Sequence, residues 1–267
     1  MKKFNPDEAH IRAIFLDIDG TLVSFNTHKV PQSTLAAVHR LHQQGVKIII
    51  ATGRPLPFVD NLGELEYDGI MTVNGASCRT KAGEVIQHNP VDKEDIISLL
   101  HYQERSPFPV IFASDTETFI TTLSDSTREV LSMLNIKCPQ VAPINHALDM
   151  DVMQLVAFFS VKDEPYIMQQ VMPHSDAHRW HPAFADVIGK GNSKAHGVDT
   201  FIRHFHISLD DTMAFGDGGN DICMLQHVKY GFVMGNAREE IRQQAPYQTS
   251  SVDEDGVAKI LNLLYKI

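Results

Sequence analysis

Cysteine is scarce: Cys78, Cys138 and Cys223 are the three cysteines in 267 residues. Their number is odd, their spacing is wide and no CxxC pair occurs, so neither a disulfide framework nor a cysteine-built zinc site is expected. They read as small core residues. Long apolar runs are missing too. The longest, Leu155 to Phe159, has five residues, against the ~20 that a membrane-crossing helix needs. At the start, Lys2 and Lys3 lead into Asn5-Pro6-Asp7-Glu8, which gives a signal peptide no apolar stretch to use. A cytoplasmic enzyme with no membrane partner is the expectation. Basic clusters are also lacking, and 23 Lys and Arg against 33 Asp and Glu leave a net charge of −10. Such a surface does not track a nucleic-acid backbone. An anionic ligand would need a bound cation and a few placed basic residues to reverse the field locally.

What is present is ordinary globular material: 43% hydrophobic and 21% charged residues, with no internal repeat or low-complexity linker. At roughly 150 residues per domain, that suffices for one large domain or two modest ones. From Ile11 onward, short β-rich runs alternate with amphipathic stretches, which predicts an α/β fold with a parallel sheet. Ala13 to Leu16 reads as a buried strand. A helix opens at Pro31-Gln32-Ser33, carries Leu35, Val38 and Leu41 at helical spacing and closes at Gly45. Strands follow at Val46 to Ala51 and Ile70 to Val73, the latter before an Asn74-Gly75 turn signal. The rhythm then changes. A hairpin around Lys81-Ala82-Gly83 precedes a helix from Asp92 to Arg105. Strands are expected at Val110 to Ala113, Phe119 to Thr122, Gln154 to Val161 and Phe184 to Ile188, with helices at Thr127 to Leu134 and Pro165 to Met172. This block, 83–189, reads as an α+β unit inserted into a core of 1–82 and 190–267. Glycines near Ala82-Gly83 and Gly189-Lys190-Gly191 are the expected hinges. From Ser193 the βα alternation resumes, with strands at Met213 to Phe215 and Phe232 to Met234 and a last helix ending at Leu264.

The first strand runs into Asp17-Ile18-Asp19-Gly20-Thr21, two carboxylates at the strand end where open α/β sheets place ligands. Neighbouring anions in a desolvated site imply a bound cation, a shared proton or both. An acidic turn is the competing reading. An EF-hand is excluded because glycine stands at the fourth loop position and His28 at the twelfth. A second acidic turn, Gly216-Asp217-Gly218-Gly219-Asn220-Asp221, also follows a hydrophobic strand, and its hard oxygens suit Mg²⁺. It is no dinucleotide fingerprint, since Asp221 stands where GxGxxG requires glycine. Gly191-Asn192-Ser193-Lys194 likewise lacks the order of a P-loop. Thr52-Gly53-Arg54 after the second strand and Lys194 at a helix start offer a hydroxyl, loop amides and an ammonium to phosphate oxygens. The pairs His39 with His42 and His204 with His206 stand beside no other ligand cluster and read as surface residues. Trp180 and His181, near the end of the inserted block, read as packed core residues of that block first and ligand-facing residues second.

In order along the chain, DIDGT, ATGR, GNSK and GDGGND resemble the haloacid dehalogenase (HAD) superfamily, and within it the Cof-type phosphatases with an α/β cap, the hexose-phosphate phosphatases among them. The resemblance covers nearly the whole chain, including RWHPAFADV (Arg179 to Val187) and DEDG (Asp253 to Gly256), and no catalytic position departs from it. It implies a Rossmann-like HAD core with an inserted cap that selects the leaving group, and a phosphatase of small phosphorylated metabolites, chiefly sugar phosphates. It implies Asp17 as the nucleophile that forms an aspartyl-phosphate, and Asp19 as general acid and then base. Mg²⁺ would be held by Asp17, the Asp19 carbonyl and Asp217. The amide of Ile18 with Thr52, Gly53, Lys194 and Asn220 would hold the phosphoryl group, and Asp221 would support them from behind. A phosphosugar mutase of the same superfamily and a phospho-aspartate receiver remain as alternatives.

Overall fold

All four residues of β1 (Ala13–Leu16) are buried, as a strand covered on both faces must be. The computed structural model describes residues 3–133 and 137–264, the side chain of Trp180 excepted; Leu134, the expected end of one helix, lies outside the described residues. After β1 come β2 (Lys47–Ala51), β3 (Gly69–Thr72), β4 (Ser77–Thr80) and β5 (Val85–His88). A middle set follows: β6 (Val110–Ala113), β7 (Thr118–Ile120), β8 (Gln140–Val141), β9 (Gln154–Ala157), β10 (Ser175–His181) and β11 (Phe184–Gly189). The chain then returns through β12 (Thr212–Gly216), β13 (Tyr230–Val233) and β14 (Tyr247–Gln248).

These strands form two sheets. The larger has the order β14-β13-β12-β1-β2-β3-β4-β5, parallel from β14 to β3 and antiparallel for the β4–β5 hairpin. The smaller has the order β10-β11-β9-β6-β7-β8 and is antiparallel except at β7–β8. The fold is α/β, with helices flanking the larger sheet. The chain divides into two compact units, one of Met1–Gly53, Val59–His88 and Ser193–Ile267, the other of Arg54–Phe58 and Asn89–Asn192.

Each unit has its own apolar core. In the first, Phe15, Ile49, Met71, Val198, Phe201, Ala214 and Leu225 pack together. In the second, Leu99, Val110, Phe112, Leu155, Ile167 and Val187 do the same. Helix Gln32–Gln43 buries Thr34, Ala37, Val38 and Leu41, while the expected Leu35 is half-buried. Gly45 follows that helix at φ +85°, a left-handed turn that favours glycine.

Several expectations shift. The block division falls at His88/Asn89 and Asn192/Ser193, because β5 pairs with β4 and so extends the larger sheet. Gly83, at φ +93°, therefore serves the turn of that hairpin. The helix expected from Pro165 is one α-turn, Glu164–Tyr166, continued by a π-turn at Ile167–Val171. Strands β8, β10 and β14 were not expected; all three are sheet edges, where one-sided pairing tolerates short or polar sequences such as Ser175–His181. Among the described residues no helix is long and apolar enough to cross a membrane.

Candidate active site

Parallel strands β1, β2 and β12 lie side by side, so the loops at their carboxyl ends converge. Asp17 follows β1 and donates its amide to the Phe215 carbonyl of β12 at 3.1 Å. Lys194, the first residue of helix Lys194–Phe205, is fully buried. Its Nζ donates to Asp17 Oδ1 at 2.7 Å and to Asp221 Oδ1 at 2.5 Å. Carboxylate oxygens of Asp17, Asp217 and Asp221 lie within 4.8 Å of one another. Asp221 Oδ2 accepts from the amides of Asp217 at 3.0 Å and Gly218 at 2.8 Å, which pins the GDGGND turn. Both oxygens of Asp221 are thus committed to the protein, and Asp17 and Asp217 remain as the carboxylates able to face a ligand.

Asp217 is further held by Asn236, whose Nδ2 donates to Asp217 Oδ2 at 3.1 Å and to the Gly20 carbonyl at 2.9 Å. Gly20 has φ +78°, and a Cβ there would collide with the Asp217 carboxylate. Glycine is thus required for both backbone angle and approach. Asp19, two residues on from Asp17, is half-buried. Its charge raises the pKa of Asp217, which places it within electrostatic range.

A second group gathers at the end of β2. Thr52 is buried, and its carbonyl accepts from the Asn74 amide at 3.0 Å. Asn74 Oδ1 accepts from Asn220 Nδ2 at 2.9 Å, and both amide side chains lie over Gly53, 3.3 to 3.4 Å from where a Cβ would stand. Thr52, Gly53 and Asn220 are thereby brought together. Ile18 is completely buried, and its carbonyl accepts from the amides of Leu22 and Val23. Arg54 belongs to the second unit, and its Nη1 donates to the Phe58 carbonyl at 2.9 Å. His39 and His42 pair with Glu66 and Asp68, and His181 stacks on Phe184 within the second unit. Asn74 and Asn236 were missed as site residues. The Asn-Gly turn signal marked the first, and nothing local marks the second.

Three crowded carboxylates face one ammonium. Burial pushes the Asp17 carboxyl well above the usual carboxylate range, Asp221 and Asp217 push it further, and Lys194 opposes them without prevailing. Asp217 is pushed up to about 7, by burial first and by the charge on Asp221 second. Burial alone would lower Lys194, but Asp17 and Asp221 hold its ammonium above the ordinary value. Excess negative charge on hard oxygen donors fits a small divalent cation such as Mg²⁺.

The sign of these shifts gives a prediction. A raised carboxyl pKa means that the folded state binds the proton more tightly, so its stabilisation is complete below the ordinary value near 4 and is lost as pH rises toward about 7 for Asp217. In EDTA the Tm should therefore fall by several degrees between about pH 5 and 8. Millimolar Mg²⁺ should flatten that fall, because a cation replaces the proton. Thermal scans across this range check it; a Tm that rises with pH in EDTA contradicts it.

Comparison with known proteins finds similar chains. The family profile of haloacid dehalogenase-like hydrolases matches residues 14–261. YkrA of Bacillus subtilis, a protein provisionally named a phosphatase, is 34% identical over 251 residues, 92% of this chain and 95% of its own. The solved structure of BT4131, described as a HAD subclass IIB sugar phosphatase, is 38% identical with a TM-score of 0.84, covering 94% of this chain and 98% of that one. The structure of BT1666 from Bacteroides thetaiotaomicron, described among the phosphatases of the superfamily, is 33% identical with a TM-score of 0.87 and 99% coverage of both chains.

Proposed function

The chain belongs to the haloacid dehalogenase-like hydrolase family and is a hydrolase of phosphate monoesters; from that premise we propose a Mg²⁺-dependent phosphatase of hexose phosphates that works through an aspartyl-phosphate on Asp17. The observation that carries the reading is the buried ammonium of Lys194 bonded to both Asp17 and Asp221 beside the carboxylate of Asp217. This cluster retains an excess of negative charge, so in this reading a cation accompanies any phosphoryl group received there. Asp17, Asp217 and the Asp19 carbonyl would hold Mg²⁺, which when bound neutralises that excess and the charge on the phosphoryl oxygens.

The chain's own residues do the rest. The carboxylate of Asp17 attacks phosphorus as the bond to the sugar oxygen breaks, and Asp19 delivers a proton to that oxygen. Asp19, now a carboxylate, takes a proton from water as the water oxygen attacks the same phosphorus, which releases Asp17 and inorganic phosphate. Lys194 orients the nucleophile and opposes its protonation, and the hydroxyl of Thr52 and the amides around Gly53 and Asn220 cradle the transferring group, whose charge needs stabilising more than its bonds need assistance. The likeness to a sugar phosphatase supports the substrate class.

A phosphate-release screen over phosphorylated metabolites tests the proposal. Hexose phosphates should give the highest kcat/KM, and EDTA should abolish release. Release from no phosphomonoester would overturn the activity, and recovery of an isomeric sugar phosphate in place of inorganic phosphate would make the protein a mutase.

A further inference from the structure

The segment after β3 holds three successive residues in the left-handed region: Val73 at φ 50°, Asn74 at φ 52° and Gly75 at φ 90°. For glycine this is free and for asparagine tolerable, but a β-branched valine there is an outlier. Strain of this kind persists only where surrounding contacts over-determine it. Those contacts are specific. Thr52 donates to the Met71 carbonyl, and its own carbonyl accepts from the Asn74 amide. A Cβ on Gly75 would lie 2.5 Å from the carbonyl of Ser193, the N-cap residue immediately before Lys194. Gln87 Nε2 donates to the Gly75 carbonyl at 2.6 Å. The turn is thus clamped between the loop of Thr52 and the start of the Lys194 helix. From that clamp the Asn74 side chain reaches a third loop and accepts from Asn220 over Gly53.

We propose that Asn74 is a positioning residue for phosphate, which uses a strained turn to hold the Asn220 amide over Gly53. The inference rests on the phosphoryl site proposed above, and it assigns to a single asparagine the alignment of three separate loops. Asn220 is exposed, so without Asn74 its side chain would sample other rotamers, and part of each binding event would go into ordering it. The strain aims the Asn74 carboxamide along a line that a relaxed turn would not offer.

Asn74→Gly separates this role from a structural one, because glycine adopts φ 52° without strain and removes the side chain alone. Inorganic phosphate, as a competitive inhibitor of aryl-phosphate hydrolysis in Mg²⁺, is the probe. The expected result is a Ki raised about tenfold, the weight of one hydrogen bond to a charged group, with Tm within about 2 °C of wild type. Asn220→Ala should raise Ki similarly. The double variant should be no worse than Asn220→Ala alone, since the two residues act as one unit. An unchanged Ki in Asn74→Gly, or effects that multiply in the double variant, overturns the proposal. Should Asn74→Gly prove unstable, Asn74→Ser, whose side chain is too short to accept from Asn220 in the same place, replaces it; an unaltered Ki there likewise overturns the positioning role. Failure of the parent reading shows separately, as wild-type protein that releases no phosphate.

Discussion

Replacing Asp17 by alanine is expected to lower kcat by about 10⁴-fold or more while leaving the metal-free protein at least as stable as wild type. The first half follows from the proposed chemistry, since a variant without its nucleophile retains only binding and charge stabilisation. The second half runs against ordinary experience with buried residues and comes from electrostatics. Asp17 is 6% exposed and held within 4.8 Å of two other carboxylates, and its folded-state pKa is raised above the ordinary value. A carboxylate in that position at neutral pH opposes folding. Its removal does not strand Lys194, which keeps its bond to Asp221 at 2.5 Å, so the penalty of an unpaired buried charge does not arise. The packing lost with the carboxyl group is a small cost beside the relief of two repulsions. Steady-state kinetics in Mg²⁺ and a thermal scan in EDTA check both halves. A Tm lowered by more than about 5 °C would make Asp17 a structural residue, and turnover within a hundredfold of wild type would remove it as nucleophile.

The sequence made the centre of this site legible because its chemistry is local. Asp17 and Asp217 each follow a strand whose apolar run is continuous, and a parallel sheet brings those strand ends together whatever the loops do. Lys194 was legible for a similar reason, standing at a helix start just before the sheet resumes. What remained hidden depends on contacts distant in the chain. Asn236 reaches Asp217 and Gly20, 19 and 216 residues away, and an asparagine in a loop carries no sign of which carbonyl it will meet. Asn74 was read as a turn, which it is; that its side chain also meets Asn220 is a fact of tertiary structure. Edge strands such as Ser175–His181 escaped because a strand paired on one side needs no alternating apolar pattern. The placement of β5 was missed for a different reason: Val85–His88 is not fully buried anywhere along its length, so nothing in its composition tied it to the core sheet.

Asp19→Asn should divide the reaction in a way that Asp17→Ala cannot. Asp19 is half-buried and stands outside the three-carboxylate group of Asp17, Asp217 and Asp221; its charge raises the pKa of Asp217 without sharing that group's crowding. Asparagine is nearly isosteric and leaves the backbone carbonyl in place, so the proposed contribution of residue 19 to Mg²⁺ binding survives. What disappears is the proton. An amide neither protonates a sugar alkoxide nor accepts a proton from water, and since acid and base assistance contribute about 10²- to 10⁴-fold in a single step, turnover of hexose phosphates should fall by about 10²- to 10⁴-fold, set by the slower of the two affected steps. The two losses separate when the leaving group changes. An aryl phosphate departs as a stabilised phenolate and has little need of the acid, so it should still phosphorylate Asp17, and the phosphoenzyme should then persist for want of the base. Rapid mixing should therefore show a burst of phenolate approaching one equivalent per active site, followed by slow turnover, with the Mg²⁺ Kd measured by calorimetry within about threefold of wild type. A lost Mg²⁺ affinity would show that the side chain of Asp19 holds the metal. Rapid steady turnover of the aryl phosphate without a burst would show that the dephosphorylating water finds its base elsewhere, and the two-step role of Asp19 would fall.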